Sequence, residues 1–448
     1  MNLRRNKTAT VVFLLFCISL LSSCVTAGRE STVFEPVTTL SAPQTDAGND
    51  ITGASESESF EESVLYDETN YNESAPVEKM RAFWISYEEI GDMYSKGAER
   101  FESELTASFE KLAALGFNTV FFHARAFCDA FYSSSIFPWS SYVIVNGALP
   151  STDPLLVAVN AAHSCGMRIH AWINPYRVSY NNDINSPGLS AAAKQMIASG
   201  QAQRLMVTDS GIFLDPSSLD NQSLILDGVR EILSLYSVDG IHIDDYFYPS
   251  DVENADEASY QSYVAAGGKL QKADWRRANV SAVVAGLYSV VKSFGAEKEF
   301  GISPGGIFDL NYNTYYADVE TWIKQPGYCD YIIPQIYFGY LHNTCGFDEL
   351  LAYWSGLCSG SAVRLYVGLG LYKAGKTDEY AGSEEARREW VEYPDLIARQ
   401  AESVGNNAIC RGFAVFSFED LLYQGDNDVK KAQTESLFEF LREQNLYE

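Results

Sequence analysis

The chain is short of positive charge: 32 lysines and arginines stand against 59 aspartates and glutamates, a formal net charge of −27 over 448 residues. A surface of that sign repels polyanions, so nucleic acid is not an expected partner and a neutral substrate fits better. Histidine is scarce, five in all, and no His-x-His or His-Glu-x-x-His spacing announces a metal centre; no cofactor is called for. After the N-terminus no apolar run is long enough to span a bilayer. Cys17 and Cys24 lie near the N-terminus, and the other six, Cys128, Cys165, Cys329, Cys345, Cys358 and Cys410, lack zinc-knuckle or redox-motif spacing. Outside the cytosol an even number permits disulfides, packed free thiols fit as well, and no pairing is assigned.

What is present at the N-terminus is an export pattern. Arg4, Arg5 and Lys7 precede a short apolar run, Val11 to Leu21, which has the layout of a secretory signal. It ends in Leu21-Ser22-Ser23-Cys24, which resembles a bacterial lipobox; acyl chains on Cys24 would tether the protein to a membrane surface of the cell envelope without spanning it. From 25 to 78 the composition is Ser, Thr, Asn and acid with no sustained apolar period, the signature of a disordered, self-repelling linker. The expected organisation is a lipoprotein signal over 1–24, this linker, and a folded domain over 79–448.

Beyond Lys79, β-branched and aromatic runs alternate with amphipathic stretches, the pattern of a parallel sheet with helical crossovers. Eight strands are predicted: 81–87, 119–125, 168–175, 240–247, 300–304, 331–337, 364–372 and 411–418. Eight such units predict an α/β fold, a (β/α)₈ (TIM) barrel, with enlarged loops at 179–220 and 250–273. Both loops follow strands and so belong to the face where barrel active sites are built.

Alternation along each strand sorts its side chains between the helices and the barrel axis. In GIHIDDYF, Ile241 and Ile243 take the helix side, which leaves His242 and Asp244 for the axis. The same parity turns inward His123 and Arg125 on the second strand, and His170, Trp172 and Asn174 on the third. Ser303, Gln335, Tyr337 and Tyr372 extend the set. A single inward polar group can be a satisfied core residue; six strands with polar C-terminal ends point to a binding site.

Asp244 and Asp245 carry the sharpest signal. Two adjacent carboxyls under Tyr246, Phe247 and Tyr248 cannot both ionise easily, so one is expected to hold its proton, which is how a general acid is made at neutral pH. The bland alternative is a helix cap and turn pair. Trp84, Tyr132, Trp139, Trp172, Tyr176, Tyr246, Tyr248, Tyr337 and Tyr372, near strand ends, offer flat faces of the kind on which sugar rings stack.

FCDAFYSSSIFPWSSYV, HAWINPYRV, VDGIHIDDYFYP, GISPGGIFD and IPQIYF follow one another with the order and spacing of the glycosyl hydrolase-like family 10 domain, which the chain resembles from Arg81 to Phe418. The resemblance implies a (β/α)₈ barrel acting on glycosidic bonds, with some relatives linked to peptidoglycan glycans. It implies acids at Asp244 and Asp245, and a cleft lined by Asn174, Tyr176, Arg177, Gln335 and Tyr337. The family's QVRPxGDAxY appears here as HARAFCDAFY: His123, Ala126 and Cys128 depart from it, while Arg125, Asp129, Ala130 and Tyr132 remain. Its RRDNV appears as Arg276-Arg277-Ala278-Asn279-Val280, without the acid.

The leading reading is hydrolysis of a cell-wall or other polysaccharide. One of Asp244 and Asp245 serves as proton donor; the second carboxylate is its neighbour, Asp129, Asp309 or Glu419. On an N-acetylated sugar, one Asp could instead hold the acetamido group while the other is the acid. Two rivals stand beside it: a metal-dependent hydrolase using His123, His170 and His242, and a non-catalytic glycan-binding lipoprotein on the same scaffold. The oligomeric state is not legible.

Overall fold

Strand β1 (Met80–Ile85), its neighbours β2 (Thr119–Arg125) and β3 (Arg168–Ile173), then β7 (Gly240–Ile243), β8 (Glu299–Ile302), β9 (Tyr331–Ile332), β10 (Arg364–Leu369) and β11 (Cys410–Val415) pair in parallel and close into an eight-stranded barrel. This computed structural model describes residues 79–445 except 187 and 424; the export segment, Cys24 and the linker over 25–78 lie outside the described residues. All eight predicted strands are present. Several ladders end earlier than the apolar runs: β7 stops at Ile243, so Asp244 and Asp245 stand on chain that has left the sheet, and β9 stops at Ile332, beyond which Gln335 still bridges Gly305 and Gly368 before the chain reaches Tyr337.

The crossovers follow from capping chemistry and amphipathic period. Helix α1 (Tyr87–Tyr94) starts in a capping box in which Ser86 and Glu89 each accept from the other's backbone N–H. Then come α2 (Ala98–Ala114) and α3 (Pro154–Ser164), the latter with Pro in its first turn and Asp153 accepting from Leu156 N at 3.0 Å. Further round lie α4 (Ala191–Ala198), α5 (Leu219–Leu235), α6 (Glu257–Ala265) and α7 (Lys272–Ser293). The loop after β3 holds an antiparallel sheet of its own, β4 (Arg177–Ser179), β5 (Leu205–Thr208) and β6 (Gly211–Leu214), in the order β4-β6-β5.

Alternation divides the interior in two. The helix-facing set includes Val120, Phe122, Ile169, Ile173, Ile241 and Ile243; the axial set is Met80, Ala82, Trp84, Phe121, Trp172, Tyr331, Ile333, Tyr366 and Ala414. Burying each such large side chain stabilises the fold by about 1.5–3 kcal/mol. The axis is filled ring against ring, and Gly301 on β8 is the enabling residue: a Cβ there would lie 1.9 Å from the Tyr331 ring. Among the described residues six cysteines are free thiols, five of them buried.

Candidate active site

The mouth of the barrel at the C-terminal ends of β2, β3 and β7 gathers His123, Trp172, Asn174 and Asp244. Parity turns all four inward, and their contacts are mutual. The Trp172 indole lies on the His123 ring with centroids 3.7 Å apart and planes 15° from parallel, and its Nε1 donates to Asp244 Oδ2 at 3.1 Å. The Asn174 amide, with its NH₂ turned to the carboxylate, donates to Oδ2 at 2.6 Å and to Oδ1 at 3.0 Å. Tyr246 N adds a contact to Oδ1 at 3.3 Å. Asp244 is buried.

Asp245 points the other way round the barrel. It is partly exposed, it accepts from the Gln335 side chain, and a Cβ on Gly305 would stand 3.9 Å from its Oδ2. The glycines of the segment Pro304-Gly305-Gly306 let the backbone pass this close: a Cβ on Gly306 would meet the Gln335 carbonyl oxygen at 2.3 Å.

Burial pushes both carboxyls above the ordinary aspartate value, and the charge of Asp245 pushes Asp244 further up. The positive charge of Arg177 opposes this in both. Repulsion favours one proton shared between the two. Two effects compete for its place: burial and the charge of Asp245 lift Asp244 more than Asp245, whereas the N–H groups on both Asp244 oxygens favour its ionised form and the more open Asp245 keeps lone pairs able to take a proton.

Arg177, on β4, is buried with its guanidinium carbon 4.1 Å from the ring centres of both Tyr180 and Tyr246 and 5.1 Å from that of Phe127. Tyr87 joins this wall, its hydroxyl 2.6 Å from that of Tyr180. Across the mouth, Tyr337, Tyr372 and Phe416 meet with centroids 5.8 to 6.1 Å apart, and the charge of Asp245 raises the proton affinity of both tyrosines beyond what burial does. Glycines make room here too: a Cβ on Gly370 would press on the Tyr337 ring at 3.0 Å.

Several sequence expectations are corrected. Arg125 does not face the axis, because the β2–β3 register shifts between His123 and Arg125 and the parity of one residue reverses. Its side chain lies against Phe137, 4.8 Å from the ring centre, beside Gly228 of α5, and bonds the carbonyls of Asn174 and Pro175. Asp129 turns into its own loop, accepting from Phe127 N at 2.9 Å. Tyr132 packs against Tyr236, Tyr248 against Tyr316 and Arg276, and Tyr176 lies near Asp215; all three are buried. Ser303 spends its hydroxyl on Ile333 O at 2.8 Å. Of the other carboxylates considered, Asp309 and Glu419 are exposed.

His242 and His170 sit one layer below the mouth as core groups. His242 is fully buried, with Nε2 accepting from Trp84 Nε1 at 3.2 Å and Nδ1 3.2 Å from the Tyr331 hydroxyl, and His170 Nδ1 meets the same hydroxyl at 2.8 Å. Burial drives the His170 imidazole down to about 4. His170 and His242 thus share the Tyr331 hydroxyl while His123 stacks on Trp172, and among the described residues no group of three His, Cys, Asp or Glu side chains forms a ligand set.

Sequence reasoning missed Phe416, Tyr87, Phe127 and Tyr180. Phe416 lies in the predicted last strand, 411–418, on the parity of Gly412 and Ala414, which was signal enough; Tyr180 follows a loop strand whose direction no periodicity gives.

Comparison with known proteins gives the family and the fold. The family model described as "Glycosyl hydrolase-like 10" matches residues 79–382. A protein named glycosyl hydrolase DigH, from Escherichia coli K12, is 36% identical over 291 residues, 60% of this chain and 65% of its own length. One named glycosyl hydrolase YngK, from Bacillus subtilis, is 29% identical over 366 residues, 77% of this chain and 69% of its own. The chain thus spans just under two thirds of the Escherichia coli relative. Among solved structures, the glycoside hydrolase domain of PgaB (BpsB) from Bordetella bronchiseptica superposes with a TM-score of 0.53 at 11% identity, over 81% of this chain and 99% of that one. An α-L-fucosidase isoenzyme from Paenibacillus thiaminolyticus gives 0.50 at 14%, over 82% and 50%. At these identities the likeness is one of fold.

Proposed function

Because the chain belongs to the glycosyl hydrolase-like 10 family, we propose that its barrel mouth hydrolyses glycosidic bonds of a bacterial cell-wall (peptidoglycan-type) glycan or similar polysaccharide. The observation that carries this reading is the unequal pair: Asp244, with N–H donors on both oxygens, beside a partly exposed Asp245 that, among the described residues, receives the Gln335 amide as its side-chain donor.

The roles follow from that inequality. Asp245, carrying the proton, gives it to the departing glycosidic oxygen; Asp244, held ionised, sets its negative charge against the positive charge that develops on the sugar ring. Arg177 limits how far the pair's proton affinity rises. The aromatic walls exclude water and offer apolar faces to sugar rings.

Lipidation at Cys24, with the acidic linker as tether, would hold the barrel at the envelope where such a glycan lies. The test is a substrate panel: peptidoglycan glycan strands with and without stem peptides, beside common plant and bacterial polysaccharides, incubated with the purified protein and analysed for new reducing ends. Release from glycan strands is the expected result. No release from any polysaccharide would defeat the reading.

A further inference from the structure

At the C-terminal end of β11, on the axial cluster that fills the barrel, lies the ring of Phe416. It directly follows β11, whose last residues Ala414 and Val415 are fully buried, and it shares the inward parity of Ala414. Phe416 is partly exposed and packs on the axial cluster of Trp84, Trp172 and Ala414. Its ring centre lies 6.3 Å from that of Trp84 below, 6.1 Å from Tyr337 at 29° and 5.8 Å from Tyr372 at 90°. Tyr337 and Tyr372 are partly exposed as well, and both lie within the field of Asp245.

A large apolar side chain left partly open on top of a filled core, flanked by phenols and within reach of the acid, is what a flat carbohydrate face requires: C–H groups pack on the ring while hydroxyls find polar atoms at its edge. We infer that Phe416 is the platform on which the sugar at the cleaved bond lies, with Tyr337 and Tyr372 bonding that sugar's hydroxyls, so that its glycosidic oxygen is brought to Asp245. This assignment rests on the hydrolytic reading above. A core ring with no ligand needs only bulk and hydrophobicity in its place, and that difference makes the two roles separable.

The experiment compares Phe416→Leu and Phe416→Trp, both of which keep an apolar side chain on Trp84, in the full chain. Thermal melts establish folding; KM and kcat are measured on the glycan that the wild-type protein cleaves. Affinity for the same glycan is measured by calorimetry in the Asp245→Asn background. Phe416→Leu is expected to bind about tenfold more weakly, the order of one lost aromatic stack, with KM raised accordingly, and Phe416→Trp to stay within about threefold of its parent. Equal affinity of Phe416→Leu and its parent, with wild-type hydrolysis intact, overturns this inference alone. A wild-type chain that cleaves no glycan overturns the hydrolytic reading and this assignment with it.

Discussion

Trp172 Nε1 lies 3.1 Å from Asp244 Oδ2 while the face of the same indole rests on His123. One residue thus supplies both a hydrogen bond that favours the ionised carboxylate and the packing that fixes the direction of that bond. It acts on Asp244 together with Tyr246 N and the charge of Arg177, all of which oppose the rise caused by burial and by Asp245.

Trp172→Phe keeps the stack on His123 and removes the N–H. A bond to a charged group is worth about 1.5–3 kcal/mol, and without it Asp244 holds a proton more readily. Activity that needs Asp244 ionised should therefore lose its acidic limb earlier: that limb is expected to move up by about one pH unit. A profile superposable on that of the wild type would remove Trp172 from the account of Asp244.

Glu89 gives a stability prediction with a definite sign. Its carboxylate accepts from Ser86 N at 2.6 Å, Ser417 Oγ at 2.6 Å and Glu419 N at 2.7 Å, fastening the first crossover to the last strand end. Burial nonetheless raises it from 4.5 to about 7. A carboxyl with a raised folded value stabilises the fold fully below its unfolded value and loses that contribution as pH climbs through 7. Between pH 4.5 and 7.5 the wild type should lose about 3 kcal/mol more than Glu89→Gln, which cannot ionise. Denaturant melts at the two pH values measure this, and parallel losses would contradict it.

Chelation separates the rival metal reading. His242 commits both ring nitrogens to Trp84 and Tyr331, and His170 bonds the same phenol. Activity is expected to survive EDTA treatment followed by gel filtration. A loss that added zinc reverses would place a ligand set in the mouth.

How much was legible from sequence follows the regularity of the backbone. Parity sorted Trp172 and Asn174 on β3, Asp244 after β7, and Gln335 and Tyr337 after β9, because those runs alternate without interruption. It failed for Arg125, where a one-residue register shift sends the next side chain to the opposite face. It was silent for Tyr176 and Tyr248, which stand in bends where the alternation has stopped. Ser303 and His242 do point inward, but at a depth where neighbouring strands consume their polar atoms; sequence gives direction and not height along the axis. Glu89 carried a readable sign in Ser86-x-x-Glu89, yet that motif announces only a helix start. Its second task, on Ser417 and Glu419, depends on the barrel closing residue 89 against residues more than three hundred positions away.

The most direct test concerns the proton on Asp245. Asp245→Asn is measured on the natural glycan and on an aryl glycoside of the same sugar, whose leaving group departs without protonation. The natural substrate should be cleaved about 10²- to 10⁴-fold more slowly, the span of general acid catalysis, while the aryl glycoside stays within about tenfold of wild type. Equal losses on both substrates, or full activity on the natural one, would contradict the assignment of Asp245 as the acid.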